Sequence, residues 1–143
     1  MPSTVLPDLV LAQQVHLVDN VMANDRVARE FGLGLVDMQT LHLLLLRPDI
    51  TTARGISTAC ALPTSTVTDI VDRLVRAGFV ERVRDEQDRR RVHLVLTERI
   101  AEIQRRYADS EMSHHVASVA STFTDAELRV VLRWFEALNA ARD

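Results

Sequence analysis

Residues 63–97 read PTSTVTDIVDRLVRAGFVERVRDEQDRRRVHLVLT, and the change of period inside this stretch decides the fold. In its first half, Val67, Ile70, Val71 and Leu74 fall on one face of a helix. Pro63-Thr64-Ser65-Thr66 suits the first turn, where a missing N–H costs nothing, and Gly78 suits the C-cap. Beyond Gly78 the pattern turns β-rich. Phe79–Val83 and Val92–Leu96 read as strands around the polar stretch Arg84–Arg91, which makes a hairpin with a charged tip.

Upstream, Thr52 to Cys60 reads as a short helix, and Asp37 to Leu46 as a buried one that Pro48 stops. Before them, Leu6, Leu9, Val10, Leu17, Val18, Val21 and Met22 recur at helical intervals, so about Leu6 to Arg29 reads as a long helix ended by Gly32 and Gly34. Downstream of Thr97 the helical period returns through Ile100, Ile103 and Tyr107 and is expected to continue to about Ala120. Thr124-Asp125-Ala126-Glu127 is a capping box opening a last amphipathic helix, with Leu128, Val131, Leu132, Phe135 and Leu138 inside. The expected order is four helices, a hairpin and two helices, a mainly α fold with a small β-hairpin.

Composition fits a folded domain, with 47% hydrophobic and 26% charged residues in 143. The longest leucine run, Leu43 to Leu46, falls far short of the roughly 20 residues that span a bilayer. With no signal-like N-terminus, the expected location is the cytoplasm, and no membrane partner is expected. A lone cysteine, Cys60, excludes an internal disulfide framework. Every basic residue is arginine, and the net charge is −3. Between Arg73 and Arg91, seven arginines face four acids, a local excess of three positive charges on a body that otherwise carries −6. A basic patch on an acidic body is the footprint of a DNA reader.

A short helix, a tight turn, a hydroxyl-rich second helix and an arginine-tipped hairpin make the layout of a winged helix-turn-helix. The residues themselves, Pro63-Thr64-Ser65-Thr66-Val67-Thr68, Val71-Asp72-Arg73-Leu74, Gly78-Phe79-Val80-Glu81-Arg82, Asp88-Arg89-Arg90 and Leu96-Thr97, resemble the MarR family of bacterial transcriptional regulators. The spacing Asp-x-Arg, five residues, Leu-Thr is the most specific part. The resemblance implies one domain over 1–143, a DNA-binding part over 36–97, and interlocking dimerisation helices over 5–30 and 98–141. It implies a homodimeric repressor whose two-fold symmetry sets recognition helices about 34–36 Å apart on a pseudo-palindromic operator.

Burying the apolar face of the second helix turns Thr64, Ser65, Thr66, Thr68, Asp69 and Arg73 outward, as candidate DNA contacts. Hydroxyls reach phosphates and base edges, and Arg73 could bind a guanine or a phosphate. Asp69 would accept from a cytosine amino group or repel unwanted sites. In the wing, the resemblance implies that Arg90 enters the minor groove while Asp88 pairs with a neighbouring arginine to hold the shape. A narrow minor groove concentrates negative potential, which suits an arginine on a ribbon tip. Arg89 and Arg91 would flank it on phosphates, and Arg84 is a further phosphate candidate. The alternative is that these groups only cap and solvate their elements.

The chain departs from the family pattern in places. Gly55-Ile56-Ser57 stands where many relatives have Glu-Leu-Ala, Ala61 where the turn carries glycine, Val36 where a threonine caps, and Ile100 where glycine follows Leu-Thr. Relatives often bind an anionic or phenolic effector, for which His16, Asp19, His42 and Arg47 are the candidate pocket; His42 reads equally as a packed core histidine. His115 and Glu111 share a helix face but His114 does not, so no metal site and no cofactor are expected. Cys60 is expected to be a small core residue. No phosphate loop or nucleophile elbow appears, so the chain is not expected to be an enzyme. The competing class is a winged-helix protein-interaction module without DNA binding.

Overall fold

Capping side chains and left-handed residues set the element boundaries of this protein. The computed structural model describes residues 3–141, so the ends of the 1–143 span lie outside the described residues. The elements are α1 (Leu6–Glu30), α2 (Leu35–Leu46), α3 (Ala53–Cys60), α4 (Thr64–Arg76), β1 (Val80–Arg84), β2 (Val92–Leu96), α5 (Ile100–Ala108), α6 (Glu111–Ala120) and α7 (Asp125–Ala140). They fall into two compact units, one up to Glu102 and one from Ile103. No described helix is long and apolar enough to cross a membrane.

In the first unit, Gly32 at φ +69° follows α1 and Gly78 at φ +79° follows α4, conformations that cost a side-chain-bearing residue. Helix α2 starts two residues earlier than the sequence suggests. Gly34 is its N-cap, Val36 lies inside the helix, and Asp37 Oδ2 accepts the Gly34 N–H at 3.0 Å from the first turn. Thr52 caps α3 by accepting the Gly55 N–H at 3.0 Å. Gly55 suits this corner, since a Cβ there would stand 3.2 Å from Ile50 Cγ2. The α3–α4 turn places Ala61 at φ 51°, ψ 39°, the left-handed geometry that favours glycine.

The strands pair antiparallel, Val80 with Leu96 through Arg84 with Val92. Phe79, expected to begin the first strand, lies instead in the turn before it and is fully buried. Its ring meets Phe31 edge to face, with centroids 5.9 Å apart, and lies under the Arg99 guanidinium at 4.6 Å. Thr97 explains the Leu-Thr signature: its hydroxyl donates to Gly78 O at 2.6 Å, and its N–H to Phe79 O at 3.0 Å. The two ends of the hairpin are thereby tied together. Met38, Leu41, Ile56, Val67, Ile70 and Leu74 are fully buried in the core between α2, α3 and α4.

Downstream the expectation of one helix to about Ala120 is corrected. The chain breaks at Ser110, which adopts an extended backbone and caps α6 by accepting the Ser113 N–H at 3.1 Å, while its hydroxyl donates to Tyr107 O at 2.6 Å. A serine offers the backbone this alternative to continued helix. Three helices therefore follow the hairpin. The Thr124–Glu127 capping box opens α7 as read. None of the residues of α6 and α7 is buried.

Candidate nucleic-acid interface

Helix α4 buries Val67, Ile70, Val71 and Leu74, and this fixes the rest of its surface outward. Thr64, Ser65, Thr66, Thr68 and Asp69 are exposed. The Thr68 hydroxyl donates to Thr64 O at 3.0 Å, so its donor is occupied within the helix and its methyl and lone pair remain outward. No hydrogen bond holds the side chains of Ser65 and Thr66 among the described residues, leaving their hydroxyls to whatever meets the helix.

Arg73 has a second attachment that the sequence did not disclose. Its Nη2 donates to Asp37 Oδ1 at 2.7 Å, and its Nε lies 3.1 Å from both carboxylate oxygens. The Asp37 side chain is 3% exposed and that of Arg73 47%. The bond to Asp37 raises the Arg73 pKa above its ordinary value, against the opposing effect of desolvation. Asp37 also holds Gly34, so one buried carboxylate ties α4 to the start of α2. The signal available was an acid in the first turn of a helix otherwise made largely of leucine.

The wing tip is a closed turn. Asp85 Oδ1 accepts the N–H groups of Gln87 and Asp88 at 2.8 and 3.1 Å. The Asp85 N–H donates to Arg91 O at 3.0 Å, and the Arg91 N–H to Asp88 O at 2.8 Å. Asp88 Oδ1 accepts the Arg90 N–H at 3.0 Å, and its Oδ2 lies 3.7 Å from Arg91 Nε, a pairing of the kind the resemblance implied. Hydrogen bonds from Gln87 and then His93 hold the Asp85 carboxyl below its ordinary pKa. Arg84, Arg89 and Arg90 are exposed and enter no ion pair among the described residues. Arg82, by contrast, is paired with Asp72 at 2.5 Å. His93 and Thr51, which sequence reasoning passed over, stand behind the turn: His93 Nε2 is 3.0 Å from Asp85 Oδ2, and its Nδ1 is 3.1 Å from Thr51 Oγ1.

The four candidate pocket residues have separate surroundings. His16 is exposed and bonded to Asn20 at 2.8 Å, Asp19 is exposed, and Arg47 pairs with Asp49 at 3.1 Å. His42 is half-buried, and desolvation lowers its pKa. A shallow depression open to solvent, about 380 Å³, lies on α7 against Asp125, Leu128, Arg129 and Leu132. Cys60 is exposed, which corrects its reading as a core residue: α3 buries only Ile56, and its last residue faces away. Among the described residues no group of three or more histidines, cysteines or acids is placed to hold a metal ion.

A recognition-type helix behind a short capped helix and a tight turn, followed by a two-stranded wing, defines the winged helix-turn-helix class. Residues 31–91 match the model of the MarR family. Over 75 residues the chain is 36% identical to "Uncharacterized HTH-type transcriptional regulator YcgE" of Bacillus subtilis (strain 168), a match covering 52% of this chain and 48% of that protein, about half its length. A MarR family protein from Bacillus stearothermophilus superposes with a TM-score of 0.72 at 24% identity, covering 99% of each chain. The S. aureus MepR–DNA complex superposes at 0.63 with 18% identity, covering 95% of this chain and 99% of that one. These superpositions show a common fold along nearly the whole chain.

Proposed function

We propose that the chain is a non-enzymatic transcriptional regulator that binds double-stranded DNA as a homodimer and represses by occupying a pseudo-palindromic operator. The observation that carries this reading is the wing, where exposed arginines are displayed on a turn closed by its own carboxylates. A charged tip that only solvated itself would need no such order. A pre-formed turn lowers the entropy lost when an arginine enters a minor groove. The hydroxyls of Thr64, Ser65, Thr66 and Thr68, with Asp69, give α4 its sequence choice, while Arg84, Arg89 and Arg91 supply phosphate contacts. Arg73 serves first as the anchor of α4, with its exposed edge open to a phosphate. The MepR–DNA complex, a protein of the same fold, supports the class of partner.

The apolar faces of α1, α6 and α7 support the dimer: Leu11, Val18, Val116 and Leu132 are each more than half exposed. An effector at His16, Asp19, His42 and Arg47 would release DNA by favouring a dimer whose recognition helices miss successive major grooves. The test is a titration against a random duplex and against the DNA upstream of its own gene, at two salt concentrations. Tighter binding to the upstream duplex is expected. Changing Arg89, Arg90 and Arg91 to alanine should weaken both and flatten the log–log salt slope by about 0.9 for each phosphate that the wing no longer neutralises. No binding to either duplex at low salt would leave the protein-interaction module as the reading.

A further inference from the structure

The closed turn that carries the wing's arginines is backed by a side chain that is not part of it, His93 on β2. Asp85 uses both carboxylate oxygens: Oδ1 accepts the Gln87 and Asp88 N–H groups, and Oδ2 faces His93 Nε2 at 3.0 Å. An ionised carboxylate only accepts, so Nε2 carries the proton. In the neutral ring, Nδ1 is then the acceptor for the Thr51 hydroxyl at 3.1 Å. Thr51 also accepts the Leu94 N–H through its carbonyl at 2.7 Å, which lays the segment before α3 along β2. The next residue, Thr52, caps α3. The ring is about one-third exposed and Asp85 less so, which shelters the bonds from water.

We propose that His93 is a positioning residue for the wing: its imidazole bridges Thr51 at the foot of α3 and Asp85 at the root of the tip, so that Arg89 and Arg90 are presented in one orientation to DNA. The delivery of arginines rests on the DNA-binding reading above, whereas the bridge does not. Without the ring, Asp85 could still accept from Gln87 and Asp88, but its Oδ2 would lose its partner, and the hairpin would stay tied to the helix-turn-helix through the Leu94–Thr51 backbone bond and the Arg82–Asp72 pair, neither of which reaches the tip. Both ring nitrogens are taken up by Thr51 and Asp85, so the ring acts through the arginines it places.

The test uses the full-length chain and two variants. His93→Leu removes both bonds and keeps an apolar side chain on the strand, and His93→Gln restores a donor toward Asp85. Amide hydrogen exchange is read at Gln87, Asp88 and Leu94, with α4 amides as the control for folding. Exchange about tenfold faster at the three sites in His93→Leu, unchanged in α4 and partly restored in His93→Gln, is the expected result. Binding to a random-sequence duplex of about two helical turns at low salt should weaken about tenfold in His93→Leu, and Arg90→Ala should then cost little more. Unchanged exchange at Gln87 and Asp88, or fully additive losses from His93→Leu and Arg90→Ala, would overturn the proposal. If the unaltered chain binds no duplex, the DNA reading falls and the exchange rates alone uphold or overturn the bridge.

Discussion

Every buried residue among those described lies between Val27 and Ile103, while α6, α7 and all of α1 before Val27 hold none. Yet the terminal helices are no less apolar along their faces: Leu11 is 62% exposed, Val18 61% and Leu132 56%. The two regions teach different things about how a sequence specifies structure. The middle closes on itself, with a core, caps and a tied hairpin, and owes its shape to one chain. The ends are amphipathic helices whose apolar faces the chain itself does not bury, a pattern typical of surfaces made for a partner.

The largest effect should come from charging one of those faces. Phe135 sits on α7 at 48% exposure. If a second copy covers it, Phe135→Asp buries an unpaired carboxylate and should weaken self-association roughly a hundredfold or more. Sedimentation velocity across protein concentrations would show a monomer where the unaltered chain shows a dimer. An unchanged dimer mass would break the comparison, since the face would then be covered by something other than a copy.

The middle region should respond asymmetrically to removal of either half of the Asp37–Arg73 pair. Arg73→Ala strands a carboxylate that is 3% exposed, and should cost about 3 kcal/mol. Asp37→Ala frees a guanidinium that already reaches water, and should cost less, about 1.5 kcal/mol, even though the hydrogen bond to Gly34 goes with it. Urea midpoints of the two variants at equal concentration would measure the difference. Equal costs would mean that the pair acts as a surface ion pair and that α4 is positioned by its apolar face alone.

These contrasts mark what the sequence disclosed and what it withheld. Periodicity placed α4 and the hairpin nearly to the residue, because Val67, Ile70, Val71 and Leu74 have only one way to be buried together. It missed the break at Ser110, because a serine that caps and a serine on a helix surface look alike until the backbone turns. It found the arginines of the wing by their charge but not the Asp37, Thr51, Asp85 and His93 side chains that hold the interface, since those contacts join residues as far apart as 42 positions. Long-range polar contacts leave no period. Cys60 shows the reverse error: a residue type that is usually buried was assigned to a core that α3 is too short to extend to it.

Ala61 offers the smallest test, and one confined to the middle region. Its backbone sits at φ 51°, ψ 39°, where an L side chain costs roughly 1–2 kcal/mol and glycine costs nothing. The residue is exposed, so its methyl buries little that could offset the strain. The turn needs this conformation: the Ala61 and Leu62 N–H groups both reach Ser57 O, and the Ser57 hydroxyl donates to Leu62 O at 2.6 Å. Glycine would fit the turn but give back about 0.4–1 kcal/mol through a more flexible unfolded chain. The balance leaves Ala61→Gly more stable by about 0.5–1 kcal/mol, read as a higher urea midpoint with an unchanged slope. Because the strain is local, dimer affinity should not move. A lower midpoint would mean that the unfolded-state entropy outweighs the strain, and that this turn is held by the Ser57 bonds strongly enough to make alanine the better residue.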